Sequence, residues 1–291
     1  MTKVSCSVPE RFVNPLFEVF DGGDFILSSY RDIERPLAEM RIYFEDAKDV
    51  GAAEKALSDA LAIVGVEAEL SVEDVPEEDW KFAYRRHFKT ELVSPRIYTV
   101  PAWEAEGFFA SGRMEKGQIA IVSDPGMAFG TGKHETTKAC LQYIDEVMAA
   151  LQPPRSFLDM GTGSGILSIA AAKLGCGTVQ AFDVDEEAVE AAKENTAKNG
   201  VEIELFRYGL GARTRRELPV ADLVVANILG TLLIRFADEI VPTVGRHLVI
   251  SGILTEIYSE VLAAYTAHGL REVSRKTIGE WTTGLLVRPL L

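Results

Sequence analysis

The segment Phe157-Leu158-Asp159-Met160-Gly161-Thr162-Gly163-Ser164-Gly165-Ile166-Leu167 runs from a short apolar strand through three alternate glycines into a helix. Glycine lets a backbone come close to a ligand, and the helix that follows offers free N–H groups and a positive dipole end to an anion. The spacing is G-x-G-x-G, not the G-x-G-x-x-G of dinucleotide sites. The next strand ends at Asp183, 22 residues after Gly161, where a carboxylate can accept both hydroxyls of a ribose. Together these features fit S-adenosylmethionine, with its carboxylate at the turn around Gly161 and Gly163 and its ribose on Asp183. Two plainer readings stand beside this one. Any tight strand-to-helix turn needs glycine, with Asp183 then only capping the next helix. A nicotinamide cofactor also needs an acid at this distance, but it asks for the longer glycine spacing and a hydride-transfer pair that the sequence does not offer.

Outward from this turn, strand and helix alternate: Ser156–Asp159, Ile166–Leu174, Thr178–Asp183, Glu186–Asn199, Ile203–Phe206, Asp222–Ala226, Thr231–Val241, His247–Ser251 and Thr255–His268. That alternation predicts an α/β fold, a Rossmann-like, mostly parallel seven-stranded sheet with helices on both faces. Two extended segments, Leu270–Thr277 and Thr282–Arg288, predict an antiparallel edge. Toward the N-terminus, Val4-Cys6-Val8, Phe25-Ile26-Leu27, Met40-Ile42-Phe44 and Val66-Ala68-Leu70-Val72 read as strands, and Arg11–Phe20 and Gly51–Gly65 as helices. The order β-α-β-β-α-β is that of a small α+β, ferredoxin-like domain. From Glu67 to Asp79, seven residues of thirteen are acidic and Pro76 interrupts them. The expected division is therefore a small domain over 1–72, a linker over 73–96 and a larger domain over 97–291.

The chain has 291 residues, which at about 150 per domain allows roughly two domains, and its 47% hydrophobic content supplies a core for each. Lys and Arg number 30 against 44 Asp and Glu, a net charge of -14, which gives no electrostatic reason to wrap nucleic acid or lie on an anionic membrane. No apolar run is long enough to span a bilayer, and Met1-Thr-Lys-Val-Ser-Cys lacks a secretory signal core, so a cytoplasmic protein is expected. Cys6, Cys140 and Cys176 stand apart, with no CxxC or Cys/His cluster, and neither disulfides nor a metal site are expected.

Asn227 closes the strand Asp222–Ala226, at the strand ends where open α/β sheets place their ligand crevice. Its side-chain oxygen can accept a hydrogen bond from a substrate amine without adding a charge that would compete with a sulfonium. Asn is also a common strand-ending turn residue. Upstream, Asp124-Pro125-Gly126-Met127-Ala128-Phe129-Gly130-Thr131-Gly132-Lys133-His134-Glu135-Thr136-Thr137 forms a glycine- and threonine-rich loop that runs into a helix. Thr137 can donate from that helix start and Phe129 can cover apolar ligand surface. His134 reads as a structural hydrogen bonder more readily than as a base. Trp80 and Trp103 read as packing at the domain junction.

With these segments in place, the sequence resembles the ribosomal protein L11 methyltransferases over essentially its whole length. The resemblance is carried by Phe20-Asp21-Gly22-Gly23, Glu78-Asp79-Trp80, Pro101-Ala102-Trp103, the 124–137 loop, the glycine turn, Asn227-Ile228-Leu229, Ser251-Gly252-Ile253-Leu254 and Gly279-Glu280-Trp281. It implies cofactor contacts at Thr137, Gly161, Asp183 and Asn227, and a small N-terminal domain that recognises the substrate. The implied activity is methylation of lysine or N-terminal amines of L11 by in-line displacement on the sulfonium methyl. No metal is involved, Asn227 orients the amine, and the enzyme is expected to be a monomer. The competing functions are a lysine methyltransferase with a different protein target and a non-catalytic adenosine-ligand scaffold, which would bind without turnover.

Overall fold

A computed structural model of the chain describes residues 2–20, 25, 27–31, 37–44, 49–74, 88–123, 134–212 and 216–289. By its internal contacts the chain divides into two units, Met1–His87 and Phe88–Leu291.

In the first unit the strands are β1 (Thr2–Pro9), β2 (Leu27–Arg31), β3 (Leu37–Phe44) and β4 (Ser71–Asp74), and the helices are α1 (Val13–Phe20) and α2 (Val50–Val64). The sheet order is β2-β3-β1-β4, with every neighbouring pair antiparallel. This is the expected ferredoxin-like arrangement. Alternate residues Val4, Val8, Met40 and Ile42 point to one face and pack on Leu16, Ala53 and Leu57 of the helices. Pro15 is tolerated because it lies in the first turn of α1, where a backbone N–H has no partner within the helix. The Val66–Val72 alternation, read as a strand, marks burial more than pairing. Val66, Ala68 and Leu70 pack against the core, while β4 pairs with β1 only from Ser71 onward. Phe20 ends α1, but Asp21, Gly22 and Gly23 lie outside the described residues, as do residues 75–87 with Trp80.

The second unit begins with a small sheet that sequence reading missed. Strands β5 (Glu91–Ser94), β6 (Ile97–Pro101) and β7 (Ile119–Ser123) form it in that order. Helix α3 (Ala102–Ala110) lies between β6 and β7, and α4 (Glu135–Met148) follows. Residues 88–96, expected as linker, belong instead to the second unit as strand and turn. Arg96 Nε sits 2.6 Å from Asp145 Oδ1, Lys138 Nζ 2.7 Å from Glu91 Oε1, and Gln142 Nε2 donates to the Val93 carbonyl at 3.2 Å. These contacts fasten β5 and its turn to α4, and Val93 is buried.

The large sheet takes β8 (Ser156–Met160), β9 (Thr178–Asp183), β10 (Glu204–Arg207), β11 (Ala221–Asn227), β12 (Val244–Leu254), β13 (Arg271–Ile278) and β14 (Trp281–Val287) in the order β10-β9-β8-β11-β12-β14-β13. The pairs from β10 to β12 are parallel, and β14 is antiparallel to both neighbours. Helix α5 (Ile166–Lys173) follows the glycine turn and α6 (Glu186–Asn199) follows β9. The helix expected over Thr231–Val241 is broken at Phe236 into α7 (Gly230–Arg235) and α8 (Ala237–Ile240). After β12 comes α9 (Tyr258–Thr266). One core cluster, including Phe157, Leu223 and Val249, packs on α4 and α5. The second, with Leu158, Val224 and Leu248, packs on α7, α8 and α9 on the other face. All three cysteines are buried and unpaired. No helix among the described residues is long and apolar enough to cross a membrane.

Candidate active site

Strand order reverses at β8, whose neighbours are β9 on one side and β11 on the other. Met160 pairs with Phe182 and with Ala226, and Asn227 pairs with Ser251. The glycine turn, Asp183, Asn227 and Ser251 therefore stand side by side at the carboxyl ends of four strands, where an open α/β sheet forms its crevice.

Gly161, Gly163 and Gly165 all have left-handed backbones, with φ of 74°, 53° and 80°. Side chains are excluded from the ends of the turn by space as well. A Cβ on Gly161 would lie 2.5 Å from Ile228 Cγ2, and one on Gly165 3.1 Å from Ala192 Cβ. No acidic residue occupies the first turn of α5, so its dipole end is left for an external anion.

Asp183 is half-buried, and its two oxygens accept from Gly163 N at 2.9 Å and from Asp185 N at 3.1 Å. Capping of α6 falls to Asp185, which accepts from Glu187 N at 3.0 Å. The alternative reading of Asp183 as that cap is thereby removed. A carboxylate has about four acceptor positions, so two remain for a diol.

Asp159 ends at the same turn and was not singled out from sequence. It is fully buried. Oδ2 accepts from Thr162 Oγ1 at 2.8 Å and Ser168 Oγ at 2.7 Å, while Oδ1 has no partner. Burial pushes its carboxyl up to about 6 and the charge of Asp183 adds to the rise, against the pull of the Ser168 and Thr162 hydroxyls. Of the other buried oxygens without partners among the described residues, Thr137 Oγ1 and Asn227 Oδ1 belong to the elements that meet here, and Ser94 Oγ lies apart on β5. Leaving a buried polar group unmade costs about 1–3 kcal/mol, which makes such a cluster an indication of an absent ligand. The set is one acid, one hydroxyl and one amide beside an anion-binding turn, and it suits an amino-acid-bearing nucleoside.

Asn227 also lines a cavity of about 460 Å³ with His134, Thr136, Ile228, Leu229, Leu232, Gly252 and Trp281. Ile228 is the residue that Gly161 must clear, so the cavity adjoins the glycine turn. Thr137, a neighbour of Thr136 in α4, is not part of the cavity wall. His134 caps α4, its Nδ1 2.8 Å from Thr136 Oγ1 and accepting from Thr136 N, and its ring meets Trp281 edge-on at 5.1 Å. This is the structural role expected for it. Ser251 ties β12 to β14 through Thr283 Oγ1 at 2.6 Å and reaches the Thr136 carbonyl at 3.4 Å. Phe129 and residues 124–133 lie outside the described residues. In the sequence Trp281 and Leu229 stand out only through the family resemblance, because a pocket wall built from a hairpin and a loop has no periodicity.

A family model described as ribosomal protein L11 methyltransferase (PrmA) matches residues 25–288. A protein of that name from Geobacter sulfurreducens is 40% identical over 258 residues, covering 86% of this chain and 81% of its own. The one from Geotalea uraniireducens is 34% identical, covering 96% of this chain and 95% of its own. Among solved structures, the ribosomal protein L11 methylase of Lactobacillus delbrueckii subsp. bulgaricus is 31% identical with a TM-score of 0.59, covering 69% of this chain and 99% of that one.

Proposed function

The chain belongs to the ribosomal protein L11 methyltransferase family, and on that premise we propose that it methylates lysine or N-terminal amines of ribosomal protein L11. The methyl donor is S-adenosylmethionine, which supplies an electrophilic methyl group on a sulfonium. The observation that carries the proposal is the trio of unpartnered buried oxygens, Asp159 Oδ1, Thr137 Oγ1 and Asn227 Oδ1, beside the glycine turn and next to a largely apolar cavity.

In this reading the Gly161–Gly165 turn and the start of α5 hold the donor's carboxylate. Asp159 Oδ1 accepts from its ammonium, Asp183 takes the ribose hydroxyls, and the Thr137 hydroxyl donates nearby. Phe129 is assigned cover over apolar donor surface. Asn227 Oδ1 accepts an N–H of the substrate amine and aims its lone pair. A lysine ammonium has a pKa of about 10.4 and an α-ammonium about 7.7–8.0, so the amine must shed a proton before it reacts. A wall of Ile228, Leu229, Leu232, Gly252 and Trp281 favours the neutral amine by desolvation. None of the lining residues among those described is a carboxylate that would hold it as ammonium. Alignment is then the main contribution of the chain, and held reactants can gain about 7–11 kcal/mol of a barrier in this way. His134 is assigned a structural role, its Nδ1 being engaged in the cap.

The small N-terminal unit is assigned to substrate recognition. The net charge of -14 supports a protein over a nucleic acid as target, and the enzyme acts in the cytoplasm as a monomer. The test is incubation of purified enzyme with S-adenosylmethionine and free L11, read by mass spectrometry of L11. Successive methyl additions on amines are expected. Binding of the donor with no S-adenosylhomocysteine formed on L11 or on extract proteins would leave only a scaffold, and methylation of another extract protein in place of L11 would move the target.

A further inference from the structure

Helix α6 carries two asparagines one turn apart, both buried, whose side chains do different things. Asn195 Nδ2 donates to the Ser164 carbonyl at 2.9 Å. The amide N–H on the other end of that peptide, at Gly165, donates to the Thr162 carbonyl at 2.9 Å, so the last peptide of the glycine turn is held from both sides. Ala192, three residues before Asn195 and therefore on the same helix face, packs against Gly165 so closely that a Cβ there would meet it at 3.1 Å. Asn199 is aimed elsewhere. Its Nδ2 donates to the Val122 carbonyl at 2.6 Å and its Oδ1 accepts from Val122 N at 2.9 Å. It thereby pairs with β7, the edge strand of the small three-stranded sheet.

We propose that Asn195 is a positioning residue for the methyl donor, because its amide holds the Ser164 carbonyl against α6 and so fixes the backbone of the turn that receives the donor's carboxylate. Removing this bond takes away one of the hydrogen bonds that hold this peptide, the other being that from Gly165 N to the Thr162 carbonyl, and loosens a carbonyl dipole within a turn whose remaining dipoles serve an anion. Asn199 makes three side-chain hydrogen bonds, two to Val122 and one to the backbone carbonyl of Asn195, and among the described residues none reaches the turn, so it is the structural counterpart against which the side-chain role of Asn195 can be measured. The inference rests on the donor site described above.

The experiment compares Asn195→Leu and Asn199→Leu, near-isosteric changes that cannot donate. Asn195→Ala is used in place of the Leu variant if the latter does not fold. Each is held at a temperature where circular dichroism shows it folded. Calorimetry gives the dissociation constant of S-adenosylmethionine, and initial rates with L11 at saturating donor give kcat. For Asn195→Leu the dissociation constant is expected to rise about tenfold, the scale of one buried hydrogen bond, with kcat at saturation nearly unchanged. For Asn199→Leu the melting temperature falls at least as far while donor affinity stays at the wild-type value. Wild-type affinity in the Asn195 variants, or an equal loss in both positions, overturns the proposal. Failure of the wild-type protein itself to bind the donor would instead remove the donor site.

Discussion

On the face of the small sheet turned away from its helices, Lys3 Nζ meets Glu39 at 3.2 Å and Glu73 at 3.0 Å, and Arg41 meets Glu39 at 2.8 Å and stacks over Tyr30. At the strand ends of the large sheet, Asp159 and Asn227, with Thr137 in the neighbouring α4, each keep a buried oxygen with no partner. In the first place the charged groups have found one another, and among the described residues only Arg41 Nε is left over there. In the second, folding has removed polar atoms from water without providing for them. That costs about 1–3 kcal/mol for each group, which a ligand that paired with them would offset, and what sets these three apart from Ser94 Oγ and His247 Nδ1, also unpartnered, is their place at the strand ends and in the helix beside them.

The two carboxylates at the centre of the contrast are displaced in opposite directions. The Arg41 hydrogen bond, with help from Lys3, holds Glu39 down at about 2, whereas burial pushes Asp159 up to about 6.

The contrast is tested most severely at Asp183. Asp183→Ala removes the ribose acceptor and the Gly163 anchor together, and the dissociation constant of S-adenosylmethionine should rise by about 100-fold or more, as expected for two charge-assisted hydrogen bonds. Unchanged affinity in calorimetry would end the assignment. Next in size is Asn227→Ala, which should lower kcat by about 100-fold through misalignment of the amine while donor affinity is largely retained. Equal losses in both would make Asn227 a binding residue only.

A smaller effect follows from Asp159. Its folded value of about 6 lies above the ordinary 3.8, so between these two the folded state binds more protons than the unfolded one, and its contribution to stability declines as pH rises across that window. Donor binding needs the charged form. Wild-type affinity should therefore weaken as pH falls through about 6, by at most about tenfold per pH unit. In Asp159→Asn this part of the profile should be flat at the weaker level, and a mutant profile that still bends near pH 6 would assign the titration to another group.

The smallest effect belongs to the small sheet. Glu39 is depressed from 4.5 to about 2, so its stabilisation is fully present above about 4.5 and is lost as pH falls toward 2. Glu39→Gln should cost ~0.5–1 kcal/mol at neutral pH in urea titrations, as for other partly exposed ion pairs, and leave donor affinity untouched. A shift in donor affinity would mean that the two regions are not independent.

Much of the molecule was legible in the chain because local physics dictates it. The glycine turn announces itself since only glycine adopts its left-handed backbone cheaply. Asp183 stands at the strand end its spacing implied, and the β-α-β-β-α-β pattern of the small unit follows from apolar periodicity. The three-stranded sheet was not legible. Residues 88–96 are few, mixed in charge and interrupted by Pro95, so they carry no strand periodicity of their own, and Glu91–Ser94 becomes a strand by pairing with β6 while Lys138, Gln142 and Asp145 of α4, about fifty residues away, hold Glu91, Val93 and Arg96.

Sequence by itself determined the fold class, the donor and the row of Gly161, Asp183 and Asn227, since each depends on backbone conformation and on the order of strands. Tertiary structure alone decided which polar atoms are left without partners. Asp159 Oδ1 and Thr137 Oγ1 differ from their satisfied neighbours Asp159 Oδ2 and Thr136 Oγ1 only in what stands within three ångströms of them, and that is set by packing between segments far apart in the chain.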